Sequence, residues 1–444
     1  MGIVIHILIR YLGIKTKLLD LISSEVEDLL PNRGTVLDMF AGSTIVAQRL
    51  SANNDVVVND IQEYSYVVGK ALIEIDKSFD YKKIDVNNII NSNSFRDNYN
   101  YLSGIFSKQL QYEKDLISYL LDNLDDYQKL QEYKLFYEKT PHVNGDKMDY
   151  VHPIFKGTES FFSRKRYLKL QKNNSDSFYE LFTLKYTTPY FSLEQAVFID
   201  SFRYSLEKNK TMGLITDTEY YIYLSLLIYA LNNIVTSVGD HFAQPQQFKI
   251  DDNKMLKREV KKIVTKKSLS IKTLMEDKQV EFNNLIVSDY GDNLSLCYDY
   301  KELFYEKNHH IMNKVDVIYI DPPYTNAHYS RFYHILETLV KYDYPDTEYH
   351  GRYRTDRYQS PFGIKSKAHD EFDTMISLCR TARKSLVISY SDTKQCILSK
   401  SEIKEICEKY YQKVIVKEID YLYRNFGQQP NKVKGNELII RCEV

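Results

Sequence analysis

Short apolar runs that end in an acid recur along this chain and predict a buried parallel sheet. Thr35-Val36-Leu37-Asp38, Val56-Val57-Val58-Asn59-Asp60 and Val317-Ile318-Tyr319-Ile320-Asp321 are too short for helices and rich in β-branched residues. Runs of that kind read as strands covered on both faces. Residues 385–391 predict a further buried strand, and residues 286–292 return to the same pattern. After Asp38 comes a small-residue loop, Met39-Phe40-Ala41-Gly42-Ser43, then helical spacing of Ile45, Val46 and Leu50. Strand, small-residue loop and helix is a Rossmann-type opening, which lets a ligand approach backbone N–H groups closely. Residues 414–423 and 437–442 predict an antiparallel pair at the end of the chain.

Between residues 78 and 280 this rhythm lapses. Residues 102–137 have helical spacing with many charges, and Ser192-Leu193-Glu194-Gln195 reads as a capping box that opens a helix. Residues 220–238 predict a second, apolar helix. Residues 254–278 are strongly basic, carrying Lys254, Lys257, Arg258, Lys261, Lys262, Lys266, Lys267, Lys272 and Lys278. The expected division is therefore a sheet-bearing domain, residues 1–77 and 281–444, interrupted by a mainly helical insert, residues 78–280.

Composition adds limits. A chain of 444 residues with 43% hydrophobic residues suits two or three domains with ordinary cores. The net charge of −1 offers no overall basic excess, so nucleic-acid binding must rest on local patches. Candidate phosphate contacts are Lys261, Lys262, Lys266 and Lys267 in the basic run, with Arg331, Arg352, Arg354 and Arg357 after residue 325. Tyr353 and Tyr358 interleave the latter group, a mixture that suits phosphate contact and base stacking. Both stretches also read as solvated surface. The five cysteines are scattered without a C-x-x-C pair, which points to reduced thiols and no metal site. The apolar run 3–9 is short, contains His6 and follows no basic segment, so neither a signal peptide nor a membrane span is expected. A cytoplasmic protein is the expectation.

The stretch that carries chemistry is Asp321-Pro322-Pro323-Tyr324. Two prolines cannot continue a strand, so the strand stops and leaves a carboxylate, a carbonyl and a ring at its carboxyl end. In open α/β sheets that end faces the ligand crevice. Such a corner suits a planar ring with an exocyclic amine: Asp321 and the Pro322 carbonyl accept its two N–H groups, and Tyr324 stacks on its face.

This motif resembles the catalytic motif of the amino-group DNA methyltransferases, specifically the Dam-like, α-arranged adenine-N6 group. The segment Tyr11-Leu12-Gly13-Ile14-Lys15 resembles the family's opening, although alone it reads equally as a glycine turn before a helix. The order of opening segment, small-residue loop, second acid, long insert, third acid and Asp-Pro-Pro-Tyr is the family's order. Tyr423-Arg424-Asn425-Phe426-Gly427 and Asn436-Glu437 resemble its closing segment.

The resemblance implies an α/β fold: a Rossmann-like class I methyltransferase sheet, mostly parallel with an antiparallel terminal hairpin, and a largely helical inserted target-recognition region. It implies S-adenosyl-L-methionine as cofactor, held by Tyr11, Gly13, Lys15, Asp38, Phe40, Ala41, Gly42, Ser43, Asp60, Ile61, Asp289 and Asp321, with Asp292 the alternative register for the third acid. Asp60 stands 22 residues after Asp38, a spacing that suits a ribose diol, and it also reads as a helix N-cap. The implied substrate is an adenine flipped out of double-stranded DNA, with Asp321, Pro322, Pro323 and Tyr324 catalytic. A monomer with a restriction or defence protein encoded nearby completes the expectation. Cytosine N4 or RNA adenine as acceptor, or a non-catalytic protein that binds cofactor and DNA, are the alternatives. One residue departs from the family pattern: Thr44 stands where the loop has its second glycine. Threonine would be strained there if φ is positive.

Overall fold

The computed structural model describes residues 5–11, 13, 15–76, 78–143, 150–172, 177–237, 239, 241–248, 253–284, 291–348, 353–424 and 432–444. Contacts divide the chain into two compact units. One comprises Met1–Phe79, Ile286–Phe332 and Tyr358–Val444; the other comprises Asp80–Leu285 and Tyr333–Arg357.

The first unit is built on the acid-terminated runs. Its strands are β1 (Thr35–Asp38), β2 (Asp55–Asn59), β3 (Leu294–Leu296) and β4 (Val317–Ile320). The short β5 (Thr347–Glu348) and β6 (Tyr353–Arg354) pair with each other in the second unit. The first unit then closes with β7 (Ser385–Asp392), β8 (Lys413–Arg424) and β9 (Lys432–Glu443). The seven-stranded sheet runs β3-β2-β1-β4-β7-β9-β8. Its first five strands are parallel, whereas β9 is antiparallel to both β7 and β8. This is the mostly parallel, Rossmann-like sheet with a terminal hairpin that the sequence predicts.

Alternation along the central strands feeds two cores. Leu37, Ile318, Ile320, Leu386 and Ile388 join one apolar cluster; Val36, Val317, Tyr319 and Val387 join the other. Side chains of successive strand residues point to opposite faces, so double burial requires apolar residues at every position. From β1 the chain goes to β2 and β3 on one side and returns to β4 on the other. The carboxyl ends of β1 and β4 therefore flank the place where strand order reverses, which is where open α/β sheets bind ligands.

The sheet pattern expected to return over residues 286–292 falls mostly outside the described residues. Residues 285–290, including Asp289, lie outside the described residues. The described strand that follows is β3, which comes after a left-handed Gly291 (φ +82°) and pairs Leu294 with Val57.

In the second unit the predicted capping box and both predicted helices form, and a second capping box appears that the sequence reading did not anticipate. Ser192 and Gln195 cap Leu193–Thr211, and Thr216 and Glu219 cap Asp217–Ile234. The basic run forms two helices, Asn253–Lys267 and Ile271–Asn283. Residues 333–357, expected to belong with the sheet, cluster with the helices instead. Buried tyrosines account for this. The Tyr342 hydroxyl donates to Asp200, the Tyr353 hydroxyl donates to the Ala243 carbonyl, and the Pro345 carbonyl accepts from Tyr167.

Asp200 is the hub of that packing. Its two carboxylate oxygens accept from the Phe182 and Thr183 amides at 2.8 Å each, besides Tyr342, and burial raises its pKa to about 7. Asp200→Ala would orphan two buried amides and a phenol. We expect a loss of about 2–4 kcal/mol in urea denaturation.

Candidate active site

Four carboxylates and one ammonium line a single cleft in the first unit: Asp38, Asp60, Asp299, Asp321 and Lys15. Each sits where a strand or segment runs out. Asp38 ends β1, Asp60 follows β2, Asp299 follows β3 and Asp321 follows β4.

The loop after β1 is pinned before any ligand is considered. The Met39 amide donates to the Tyr319 carbonyl at 3.0 Å, and the Ala41 amide donates to the Asn59 carbonyl at 2.9 Å. Asp60 braces it from the next strand: one oxygen accepts from the Gly42 amide and the other from the Gln62 amide, each at 2.9 Å. Asp60 is therefore a loop brace. The N-cap position of the following helix, Glu63–Leu72, falls on Gln62. Burial raises the Asp60 pKa to about 6 against the pull of those amides.

Two glycines are required by close approach. Gly42 has φ +48°, and a Cβ there would lie 2.7 Å from the Tyr11 ring. Gly13 has φ +78°, and a Cβ there would meet the Tyr324 hydroxyl at 2.9 Å. Thr44 does adopt the left-handed conformation, φ +62°, so the strain anticipated for a threonine in the glycine position is present.

At the exit of β4, Asp321 is held by charge. Lys15 Nζ lies 3.2 Å from Asp321 Oδ1 and 2.6 Å from Glu437 Oε1. Ser389 Oγ donates to the same glutamate oxygen at 2.8 Å. The ammonium also stands over the Tyr324 ring, 5.1 Å from its centre. Burial raises the Asp321 pKa to about 6; Lys15 works against that and Glu437 adds to it. Burial alone would lower the Lys15 pKa, but Asp321 and Glu437 outweigh it and the ammonium is held charged far above its usual range.

Of the residues singled out in the sequence, Tyr11, Gly13, Lys15, Asp38, Phe40, Ala41, Gly42, Ser43, Asp60, Ile61, Asp321, Pro323 and Tyr324 line this cleft. Pro322 is buried beside it and is not a lining residue. The sequence reading missed Asp299, which accepts from the Tyr358 hydroxyl at 3.1 Å. It also missed Gln62, Tyr298, Tyr300, His328 and Tyr329, the last stacked on Tyr11 with ring centres 5.4 Å apart. The available signal for Asp299 was the apolar triplet Leu294-Ser295-Leu296 followed by an acid, too short to show a period.

The expected phosphate contacts fare differently. Lys267 is buried and ion-paired with Glu113 at 3.4 Å, and its ammonium stands over the Tyr133 and Tyr137 rings. Arg354 is buried and forks onto both Asp343 and Asp356. Arg357 is 7% exposed and pairs with Glu348 at 3.2 Å. These three are committed to ion pairs within the second unit, while the Arg357 Nε and Nη1 are buried without a hydrogen-bond partner. Lys262 and Lys266 donate to the Ser237 and Asn233 carbonyls. Lys261 is exposed, and Arg331 is half-buried over Phe332. Arg352 lies outside the described residues.

Residues 11–140 match the profile of the D12 class N6 adenine-specific DNA methyltransferase family. The chain is 23% identical over 428 residues to Modification methylase LlaI of Lactococcus lactis subsp. lactis, covering 96% of this chain and 53% of that protein. It is 24% identical over 409 residues to Type II methyltransferase M.FokI of Planomicrobium okeanokoites, covering 90% and 47%. To Modification methylase StsI of Streptococcus sanguinis it is 22% identical over 433 residues, covering 97% and 50%. The chain thus spans about half the length of these curated relatives. No helix among the described residues is long and apolar enough to cross a membrane.

Asp38 is the least compensated member of the site. Its Oδ1 is buried with no hydrogen-bond partner, and burial first, then Asp321 and Asp60, hold its pKa well above 3.8. A carboxyl whose folded pKa is raised costs stability at high pH, and that cost disappears toward the unfolded value. Asp38→Asn should therefore raise unfolding free energy by about 1–3 kcal/mol at pH 8. Urea melts at a series of pH values should show the gain shrinking as pH falls toward 4.

Proposed function

We propose that this chain is a DNA adenine-N6 methyltransferase that uses S-adenosyl-L-methionine, with its match to the D12 class over residues 11–140 as the premise. The observation that carries the reading is the convergence of Asp38, Asp60, Asp299 and Asp321 on one cleft that also holds Lys15 and the Asp-Pro-Pro-Tyr corner. An acidic cleft is complementary to a ligand that carries both a sulfonium and an ammonium group.

The residues present fit that cofactor. Asp38 Oδ1 is a buried acceptor without a partner, and Gly42 and Gly13 sit where any side chain would intrude. Asp38, Gly42 and Asp60 would hold the cofactor, with Asp299 taking the third-acid place expected of Asp289. When bound, S-adenosyl-L-methionine supplies an electrophilic methyl group on sulfur.

The chain's own residues do the rest. Asp321 and the Pro322 carbonyl accept the two N–H bonds of the target amine and aim its lone pair. That draws electron density onto the nitrogen, so positioning and electrostatics carry the acceleration. Lys15 fixes the Asp321 carboxylate while one of its oxygens remains for substrate. The base must leave the duplex to reach this corner, at a cost of a few kcal/mol. The substrate proposed is double-stranded DNA in the cytoplasm. The names of the relatives favour a restriction-modification setting with a cognate restriction enzyme.

Three measurements test the assignment. Asp321→Ala should abolish transfer of tritiated methyl groups to unmethylated genomic DNA while calorimetric cofactor affinity changes by less than about tenfold. A fully active variant would remove Asp321 from the reaction. Mass analysis of the product nucleosides should show N6-methyladenine; N4-methylcytosine would reassign the acceptor. Because Asp321 must be ionised to accept, and its pKa is raised to about 6, kcat/KM should rise with pH through that value and level off above it. An activity independent of pH between 5 and 8 would contradict that dependence.

A further inference from the structure

We propose that Glu437 is a positioning residue of this site: it takes the larger share of the Lys15 ammonium and so leaves Asp321 a stronger acceptor. The inference rests on the methyltransferase reading and deepens it.

Glu437 is far from the other site residues in sequence. It lies on the antiparallel strand β9, opposite Ser391 of β7, and is 1% exposed. Its Oε1 accepts from both Lys15 Nζ and Ser389 Oγ. The ammonium is closer to Glu437, at 2.6 Å, than to Asp321, at 3.2 Å. Charge-assisted N–H···O contacts ordinarily close to about 2.7–2.9 Å, so the Asp321 contact is the looser of the two.

One cation between two buried carboxylates works on Asp321 in two ways. Glu437 draws the ammonium away from Asp321, and its own negative charge opposes that of Asp321. Both effects raise the basicity of the Asp321 carboxylate, and a more basic carboxylate binds an amine N–H more strongly. Among the described residues, the charged and titratable groups facing Asp321 are Lys15 from the opening segment, Asp38 from β1, Tyr319 from β4, Tyr324 and Tyr329 beyond it, and Glu437 from β9. Lys15 is the one cation among these, so where its charge goes decides the character of Asp321.

Glu437→Gln keeps the shape and still accepts from Ser389, but releases the ammonium to Asp321. The expected result is a kcat roughly 10- to 100-fold lower, with KM for cofactor and DNA within about threefold. The acid limb of the kcat profile should move to lower pH. Lys15→Met should move that limb to higher pH, an opposition that a merely structural role for Glu437 would not produce. Glu437→Asp should recover part of kcat, and it serves as the test if Glu437→Gln does not fold: its limb should move in the same direction by less. An active wild-type chain whose Glu437 variants keep kcat within about twofold and an unshifted limb overturns the role of Glu437 alone. A wild-type chain that transfers no methyl group to unmethylated DNA overturns the reading of the site itself.

Discussion

The constraint on which the sheet-bearing unit depends is electrostatic. Asp38, Asp60 and Asp321 are brought to neighbouring strand ends and buried there, and each is pushed toward its neutral form by desolvation. A fold that gathers carboxylates out of water gives up stability to do so. Each is compensated differently. Asp60 receives two backbone amides, Asp321 receives the smaller share of an ammonium, and Asp38 is left with a bare oxygen. The order of compensation follows the order of proposed tasks: a brace is satisfied, an acceptor is tuned, and a ligand-binding group is held open. Sites built for a ligand accept this kind of local instability where a purely structural position would not.

The strand ends were legible because burial on both faces forces a continuous apolar run, and an acid directly after such a run breaks the pattern. Asp38, Asp60 and Asp321 stand out on that ground, and the two prolines after Asp321 fix where its strand stops. Asp299 did not stand out. Its strand has three residues, half-exposed at the first, and offers no period to detect. Glu437 was visible only as part of a closing segment, because its partner Lys15 is 422 positions away. Such a pairing is a product of the sheet order, in which the antiparallel β9 sits beside β7; no local pattern encodes it.

The same limit explains the basic residues. A run of lysines and arginines reads as a phosphate-binding surface when charges are counted, but counting does not reveal which side chains find acids from distant segments. Lys267 meets Glu113, and Arg354 meets Asp343 and Asp356. Periodicity separates the two cases better than charge does. On the helix Asn253–Lys267, Leu256, Val260, Ile263, Val264 and Lys267 share the buried face, so Lys267 was placed inward by its register. Lys254, Arg258, Lys261 and Lys262 fall on the exposed face of the same helix. A charged side chain in register with the apolar stripe should be read as a buried ion pair first.

Thr44 shows how a departure from a family pattern can be absorbed. The backbone keeps the left-handed turn that glycine would supply without strain, so the turn is imposed by its surroundings and not by the residue that makes it. Those surroundings are specific. The Thr44 amide donates to the Ala41 carbonyl at 2.7 Å, its carbonyl accepts from the Gln48 amide at 2.9 Å, and its side chain is wholly buried. A strained conformer costs on the order of 1–3 kcal/mol and persists only where neighbouring bonds over-determine it. The bonds that do so here also fix the Ala41–Gly42 amides, one of which Asp60 accepts. The loop's shape therefore survives the loss of its second glycine because it is held from both ends, by β2 through Asp60 and by the helix that follows through Gln48.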